Sequence, residues 1–160
     1  MATLPQLLEE DVHRLDKELR DFLAQSDATT ALIIDKGGFL ISSQGDTGQF
    51  DLTTIAALAS GAYLANQTIA NLVHETNFNS VYQQGEQFSM FVVSVDEYCL
   101  LVVIFKAQVS VGVVKYFAEP AAQNIAAQMR VAQERDPGAG LDLSMLNLAD
   151  PSVVFKRKPE

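Results

Sequence analysis

The sequence has one cysteine and little positive charge. Cys99 stands alone among 160 residues, which excludes a disulfide within the chain and is typical of a reducing cytoplasm. The 11 lysines and arginines are outnumbered by 20 aspartates and glutamates, so the net charge is −9. Because phosphate backbones and anionic lipids repel such a chain, we expect neither nucleic acid nor a membrane surface as a direct partner.

Long hydrophobic runs are also lacking, and the sequence predicts no leader segment. The longest apolar run, residues 98–105, is too short to cross a bilayer. The first residues carry acids where a signal peptide carries bases, so we expect a cytoplasmic protein. Apolar residues make up 48% of the chain and charged residues 19%, which is enough apolar surface for one domain with a hydrophobic core.

Residues that could support catalysis are few and scattered. His13 and His74, the only histidines, fall on different predicted helices without cysteines beside them, so they do not form a metal site. Cys99 lies in an apolar strand, where a thiol is buried and inert. Ser60 lies inside a predicted helix and not on the sharp turn that presents a nucleophilic serine. The sequence therefore predicts no enzyme, no metal and no cofactor.

A glycine-rich stretch, "IIDKGGFLISSQG" at 33–45, is the candidate for nucleotide binding. A phosphate-binding loop places lysine and serine or threonine after its glycines, at the start of a helix. Here Lys36 precedes Gly37 and Gly38, and a strand follows them. The alternative is a hairpin between strands 31–34 and 39–43, with both glycines supplying positive φ angles. This context favours the hairpin turn.

Hydrophobic periodicity predicts one α+β domain over 1–135 and a linker with a C-terminal tail over 136–160. A helix over 4–23, begun by Thr3 and Gln6 at capping-box spacing, comes first. The strand at 98–105 is apolar throughout, which predicts a central position in an antiparallel sheet with helices on both faces. The predicted order is α-β-β-α-β-β-β-α, with further strands at 78–83 and 88–95, a second helix after Asp51 and a last helix over 109–134 bent near Pro120.

The second helix carries no charged residue between Asp51 and His74. Steps of three and four residues predict a core stripe of Ile55, Leu58, Ala62, Ala65, Ile69 and Leu72. Gly61 costs a helix about 1 kcal/mol relative to alanine, which suggests that something packs closely there. A charge-free helix face is typical of an interface, with another protein or with a second copy of the chain.

The order of these segments resembles the Roadblock (dynein light-chain-like) domain family and, within it, the bacterial MglB group. The resemblance covers residues 5–134 and rests on "DKGGFLISSQG", "FDLTTIAALASGAYLANQTIANL", "QGEQFSMFVVSVDEYCLLVVIF" and "SVGVV" in succession. It implies a Roadblock/profilin-like fold, a five-stranded antiparallel sheet sandwiched by helices. It also implies a homodimer formed through the second helix and third strand.

The same resemblance implies a partner, a Ras-like small GTPase of the MglA type. Family members stimulate its GTP hydrolysis in cell polarity or motility by repositioning the catalytic groups of the GTPase. The alternative is a scaffold or adaptor homodimer that docks another signalling or polarity protein without stimulating hydrolysis.

By position, the resemblance places a surface for the GTPase and the second protomer on the second helix. We call its residues the platform: Asp51, Thr53, Thr54, Ala57, Ser60, Gly61, Leu64, Gln67, Thr68 and Asn71. Contacts from the tail are expected at Leu143, Leu146, Phe155 and Arg157. A weaker alternative is that Arg157 works as an arginine finger.

Overall fold

The computed structural model describes residues 4–135, which form a five-stranded antiparallel sheet between helices. The predicted order α-β-β-α-β-β-β-α is confirmed. The helices are α1 (Glu9–Ser26), α2 (Leu52–Leu72) and α3 (Val111–Glu134). The strands are β1 (Thr30–Asp35), β2 (Leu40–Gly45), β3 (Ser80–Gln83), β4 (Phe88–Ser94) and β5 (Cys99–Lys106).

Strand β5 lies at the centre of the sheet, whose order is β2-β1-β5-β4-β3. Every β5 residue before Lys106 is buried, which confirms the position predicted from its apolar run. Side chains alternate between the two faces of the sheet. Leu101 and Val103 pack with α1 and α3, whereas Leu100 and Val102 pack with α2. Strands β2 and β3 form the two edges.

Helix α1 begins later than the sequence predicted. It starts at Glu9, with Leu8 as the N-cap, and not at residue 4. The backbone N–H of Leu8 donates to Asp11 Oδ2 at 2.8 Å, so the carboxylate of Asp11 supplies the hydrogen bond that starts the helix. The predicted capping residue Thr3 lies outside the described residues.

Helix α3 is one continuous helix that includes Pro120, as predicted, but it begins at Val111 and not at residue 109. Ser110 caps it, since its Oγ accepts from the N–H of Gly112 at 3.2 Å.

The predicted core stripe of α2 is wrong except at Ile55, which is half-buried and packs against the core. Leu58 is 68% exposed, Ile69 47% and Leu72 74%. The buried side of the helix consists of Leu52, Ala56, Ala59, Ser60, Tyr63 and Ala70. Four of these six are small, and the larger apolar residues lie on the opposite side of the helix. Because α2 lacks a charged face, its periodicity alone does not tell which side contacts the sheet.

Candidate functional site

The start of α2 is fixed by Asp51 and by an aromatic contact. Asp51 accepts hydrogen bonds from the backbone N–H of Thr54 at 3.1 Å and from its hydroxyl at 2.6 Å. The hydrogen bond from the Thr54 hydroxyl is the main reason that the pKa of Asp51 lies below its ordinary value. The rings of Phe50 and Phe88 meet edge to face with centroids 5.3 Å apart. These contacts set the direction in which α2 leaves the sheet.

The outer side of α2 is apolar and uncovered by the rest of the described chain. Five residues at steps of three and four are exposed, and we call them the apolar stripe: Leu58, Ala62, Ala65, Ile69 and Leu72. Gly61 lies beside them, and apart from the neighbouring backbone of α2 itself no described atom lies within 4 Å of the position that a Cβ would take there. The close packing expected at Gly61 is therefore not supplied by residues 4–135.

Most of the platform is exposed, with two exceptions. Ser60 is buried, and its hydroxyl donates to the carbonyl of Lys36 at 2.5 Å. Gln67 is half-buried, and its Nε2 donates to the carbonyl of Phe78 at 3.2 Å. These two side chains hold the neighbouring loops against α2, so a partner is not in a position to contact the Ser60 hydroxyl. The exposed platform residues are Asp51, Thr53, Thr54, Ala57, Gly61, Leu64, Thr68 and Asn71.

The glycine-rich stretch is a hairpin between β1 and β2, which lie antiparallel. Asp35 Oδ1 accepts a hydrogen bond from the backbone N–H of Phe39 at 3.1 Å. This backbone N–H is therefore already hydrogen-bonded to a carboxylate of the same turn. Gly38 has a φ of +101°, whereas Gly37 does not take the positive φ that was expected of it. A Cβ on Gly38 would lie 3.3 Å from Ala57 Cα. The turn is therefore built to lie against α2.

Strand β3 is a free edge on the other side of α2. It pairs with β4, and its second edge has no strand partner within residues 4–135. Val81 and Gln83 of β3 line a narrow cleft with Ala62 of α2. The apolar stripe and the open hydrogen-bonding edge are thus neighbours, and one partner could cover both.

Candidate catalytic and metal-binding groups are not brought together. His13 is exposed, with its Nε2 3.9 Å from the carboxylate of Glu9, and His74 is exposed at the end of α2. Cys99 is fully buried, and burial raises the pKa of its thiol. Across residues 4–135 no group of three or more histidine, cysteine, aspartate or glutamate side chains is placed to hold a metal ion.

The helices of the described part of the chain are not membrane spans, since none is both long enough and apolar enough to cross a bilayer.

Two features of the structure gave no signal in the sequence. One is the exposed ring of Phe39 (75%), predicted as a strand residue but located in the turn beside α2. The other is a groove between α3 and the β4–β3 side of the sheet. The four tail residues expected to contact a partner, Leu143, Leu146, Phe155 and Arg157, lie outside the described residues.

Comparisons of the sequence and of the structure with known proteins point to the same family. The sequence model of the Roadblock/LC7 domain matches residues 15–105. A solved structure described as "MglB with tetrameric arrangement" is 27% identical, with a TM-score of 0.77, over 82% of this chain and 99% of that one. Myxococcus xanthus MglB is 26% identical, with a TM-score of 0.75, over 81% and 98% of the two chains.

The gliding protein MglB of Thermus thermophilus is 28% identical, with a TM-score of 0.74, over 84% of this chain and the whole of that one. Acanthamoeba castellanii profilin II, at 14% identity and a TM-score of 0.53, shares the fold alone. None of the curated protein sequences compared with the chain matches it.

Proposed function

The chain belongs to the Roadblock/LC7 domain family, and from this premise we propose that it is a homodimer that binds a Ras-like small GTPase of the MglA type and stimulates its GTP hydrolysis. The setting we propose is the cytoplasm of a bacterial cell, in the control of polarity or motility. The observation that carries this proposal is the charge-free outer side of α2 beside the free edge of β3.

The homodimer would use the apolar stripe and the β3 edge together. If two copies pair their β3 strands antiparallel about a two-fold axis, the two sheets become continuous and the two α2 helices lie side by side. That arrangement would bury Leu58, Ile69 and Leu72, which are now 68%, 47% and 74% exposed. Burial of apolar surface stabilises association by roughly 25 cal/mol per Å². It would also place a neighbour against Gly61.

The GTPase would take the part of α2 that faces the β1–β2 hairpin. Ala57 lies against the hairpin through Gly38, and Leu64, which is 48% exposed, lines a shallow cleft with Gly37. These residues lie on the side of α2 away from β3. A second copy seated on the stripe and on β3 would therefore leave them accessible.

Stimulation of hydrolysis through α2 would have to act by positioning groups of the GTPase. Leu52–Leu72 contains no arginine or lysine, so α2 has no cation to insert beside the transferred phosphate. Small GTPases hydrolyse GTP faster when their own catalytic residue and water are held in place. In our proposal the two α2 helices supply the surface against which the GTPase orders those groups.

The binding part of the proposal is tested by light scattering of mixtures with the Ras-like GTPase encoded nearest to this gene. We expect two copies of this chain per GTPase, and tighter binding to the GTP-bound than to the GDP-bound form. Equal affinity for both nucleotide states would contradict the proposal. Binding to the GTP state without a change in turnover would instead support the scaffold function.

A further inference from the structure

The segment before α1 and the middle of α2 meet at a cleft of about 200 Å³ at one end of the sheet. Leu4 packs against the core on the side of α1 and α3, whereas Leu64 lies on α2, which covers the other face of the sheet. Both line the cleft, so the N-terminal segment reaches α2 across the end of the sheet. Two turns supply the rest of the lining: Asp35, Lys36 and Gly37 between β1 and β2, and Glu97 and Tyr98 between β4 and β5.

The apolar walls of the cleft are held in place. Leu4 is half-buried, and Leu64 is 48% exposed on a continuous helix. Tyr98 is fixed at both ends: its N–H donates to Asp96 Oδ1 at 2.8 Å, and its hydroxyl accepts from Nε2 of Gln133 at 2.6 Å. An apolar cavity of about 150 Å³ is large enough to hold benzene. The cleft can therefore receive one apolar side chain.

Three charged side chains border the cleft, two of them carboxylates. Asp35 is engaged by its own turn, since its Oδ1 accepts from the N–H of Phe39 at 3.1 Å. The Nζ of Lys36 lies 5.3 Å from the centroid of the Tyr63 ring. Glu97 is exposed and forms no ion pair within residues 4–135. The cleft therefore combines an apolar surface with one exposed carboxylate at its rim.

A second copy of the chain is not placed to fill this cleft in the homodimer proposed above. Leu64 lies on the side of α2 away from β3. The turn that contains Lys36 and Gly37 leads into β2, the edge of the sheet opposite β3. The side of α2 that borders the cleft is the one that we assign to the GTPase, so the GTPase is the partner that reaches it.

We propose that the cleft receives one apolar side chain of the GTPase, and that a lysine or arginine beside that side chain pairs with Glu97. This inference rests on the proposed function and adds to it the chemistry of the contact. A side chain that fills a fixed cleft contributes much of the binding energy of an interface, whereas a charge at the rim contributes specificity. Through Leu4, the N-terminal segment is part of the GTPase-binding surface.

Calorimetric titration of the full chain with the Ras-like GTPase encoded nearest to this gene, loaded with a non-hydrolysable GTP analogue, tests the apolar contact. We expect Leu4→Ala and Leu64→Ala each to weaken binding at least about tenfold. The double variant should lose less than the product of the two, because both leucines hold the same side chain. The matched controls are Gln6→Ala in the same segment and Val131→Ala, which is 49% exposed on α3. Both should bind as the unaltered chain does.

The charge at the rim has its own test. Glu97→Lys should weaken binding at least about tenfold at low salt, and the loss should shrink as the salt concentration rises. Glu86→Lys is the matched control, because it changes the net charge equally on the exposed turn between β3 and β4, at the opposite end of the sheet. It should leave the affinity nearly unchanged.

Thermal melting and sedimentation equilibrium of each variant show whether the fold and the dimer are kept. If the unaltered chain binds the GTPase and Leu64→Ala binds it equally well, the inference is overturned and the proposed function stands. If the unaltered chain does not bind, both are overturned. A Leu64→Ala variant that folds but no longer dimerises would also overturn the inference, because it would place the cleft in the interface between two copies.

Discussion

Arg135 at the end of α3 holds Asp11 at the start of α1 through two hydrogen bonds. Nη1 donates to Oδ2 at 2.7 Å and Nη2 donates to Oδ1 at 2.9 Å, and Asp11 is fully buried. The same carboxylate accepts from the N–H of Leu8 and from Nε2 of Gln128. One buried carboxylate thus starts α1 and joins it to Arg135 at the end of α3.

Because of the Asp11 carboxylate, the free energy of unfolding should depend on pH. The hydrogen bond from Arg135 is the main cause that lowers the pKa of Asp11 from 3.8 to about 2. Since the folded-state pKa lies below the unfolded value, ionised Asp11 stabilises the fold above about pH 4, and this contribution is lost as the pH falls to about 2. The shift corresponds to about 2 kcal/mol.

We therefore expect Asp11→Asn to lower the free energy of unfolding by about 2 kcal/mol at pH 7, and by progressively less below pH 4. Urea denaturation at several pH values measures this difference. Asp21→Asn is the control, because Asp21 belongs to an exposed ion pair with Lys17 and should leave stability nearly unchanged. A pH-independent loss for Asp11→Asn would show that the charge of Asp11 does not stabilise the fold.

Gly38 should be intolerant of a side chain. Its φ is +101°, and a Cβ would lie 3.3 Å from the Cα of Ala57 in α2. We expect Gly38→Ala to reduce the free energy of unfolding by about 1–3 kcal/mol, measured by urea denaturation. Gly48→Ala is the matched change, since nothing lies within 4 Å of its Cβ position. Similar stabilities for the two variants would mean that the hairpin does not depend on its contact with α2.

A substitution at Gly61 tests whether the outer side of α2 is the dimer interface. Gly61→Arg would place a long cation beside the apolar stripe, and we expect it to weaken association by about 3 kcal/mol, because a buried charge without a partner is costly. That is a loss of more than about a hundredfold in affinity, which sedimentation equilibrium can measure. Gly48→Arg adds the same side chain in an exposed loop. If both variants dimerise alike, the outer side of α2 is not the dimer interface.

Arg157 should not be needed for catalysis. In our proposal the GTPase supplies its own catalytic groups, so we expect Arg157→Ala to leave the stimulated rate of GTP hydrolysis unchanged. Single-turnover hydrolysis at saturating concentrations of this chain measures that rate. A fall of about a thousandfold, the size expected for loss of an arginine finger, would assign the finger to Arg157.

The sheet could be predicted from the sequence because burial leaves a clear pattern there. A strand such as β5 that is buried on both faces must be apolar at nearly every position. The first hairpin was predictable because a turn that leads from one strand into the next does not suit a phosphate-binding loop. These features depend on residues close together in sequence.

The burial of α2 could not be predicted in the same way. Its residues are apolar or small on all sides, so the spacing of Leu58, Ile69 and Leu72 fits a core stripe as well as it fits an exposed one. The contact of Asp11 with Arg135 joins residues 124 positions apart, and nothing local marks either of them. The groove beside α3 depends on how far that helix extends over the sheet, which no sequence pattern encodes.

The central claim is tested most directly by GTP turnover of the Ras-like GTPase encoded beside this gene, measured with increasing amounts of this chain. We predict that turnover rises and saturates at two copies of the chain per GTPase, that Gly48→Arg retains this stimulation and that Gly61→Arg loses it. Turnover that stays at the basal rate at every concentration of the unaltered chain, with the GTPase bound, would contradict the claim of stimulation.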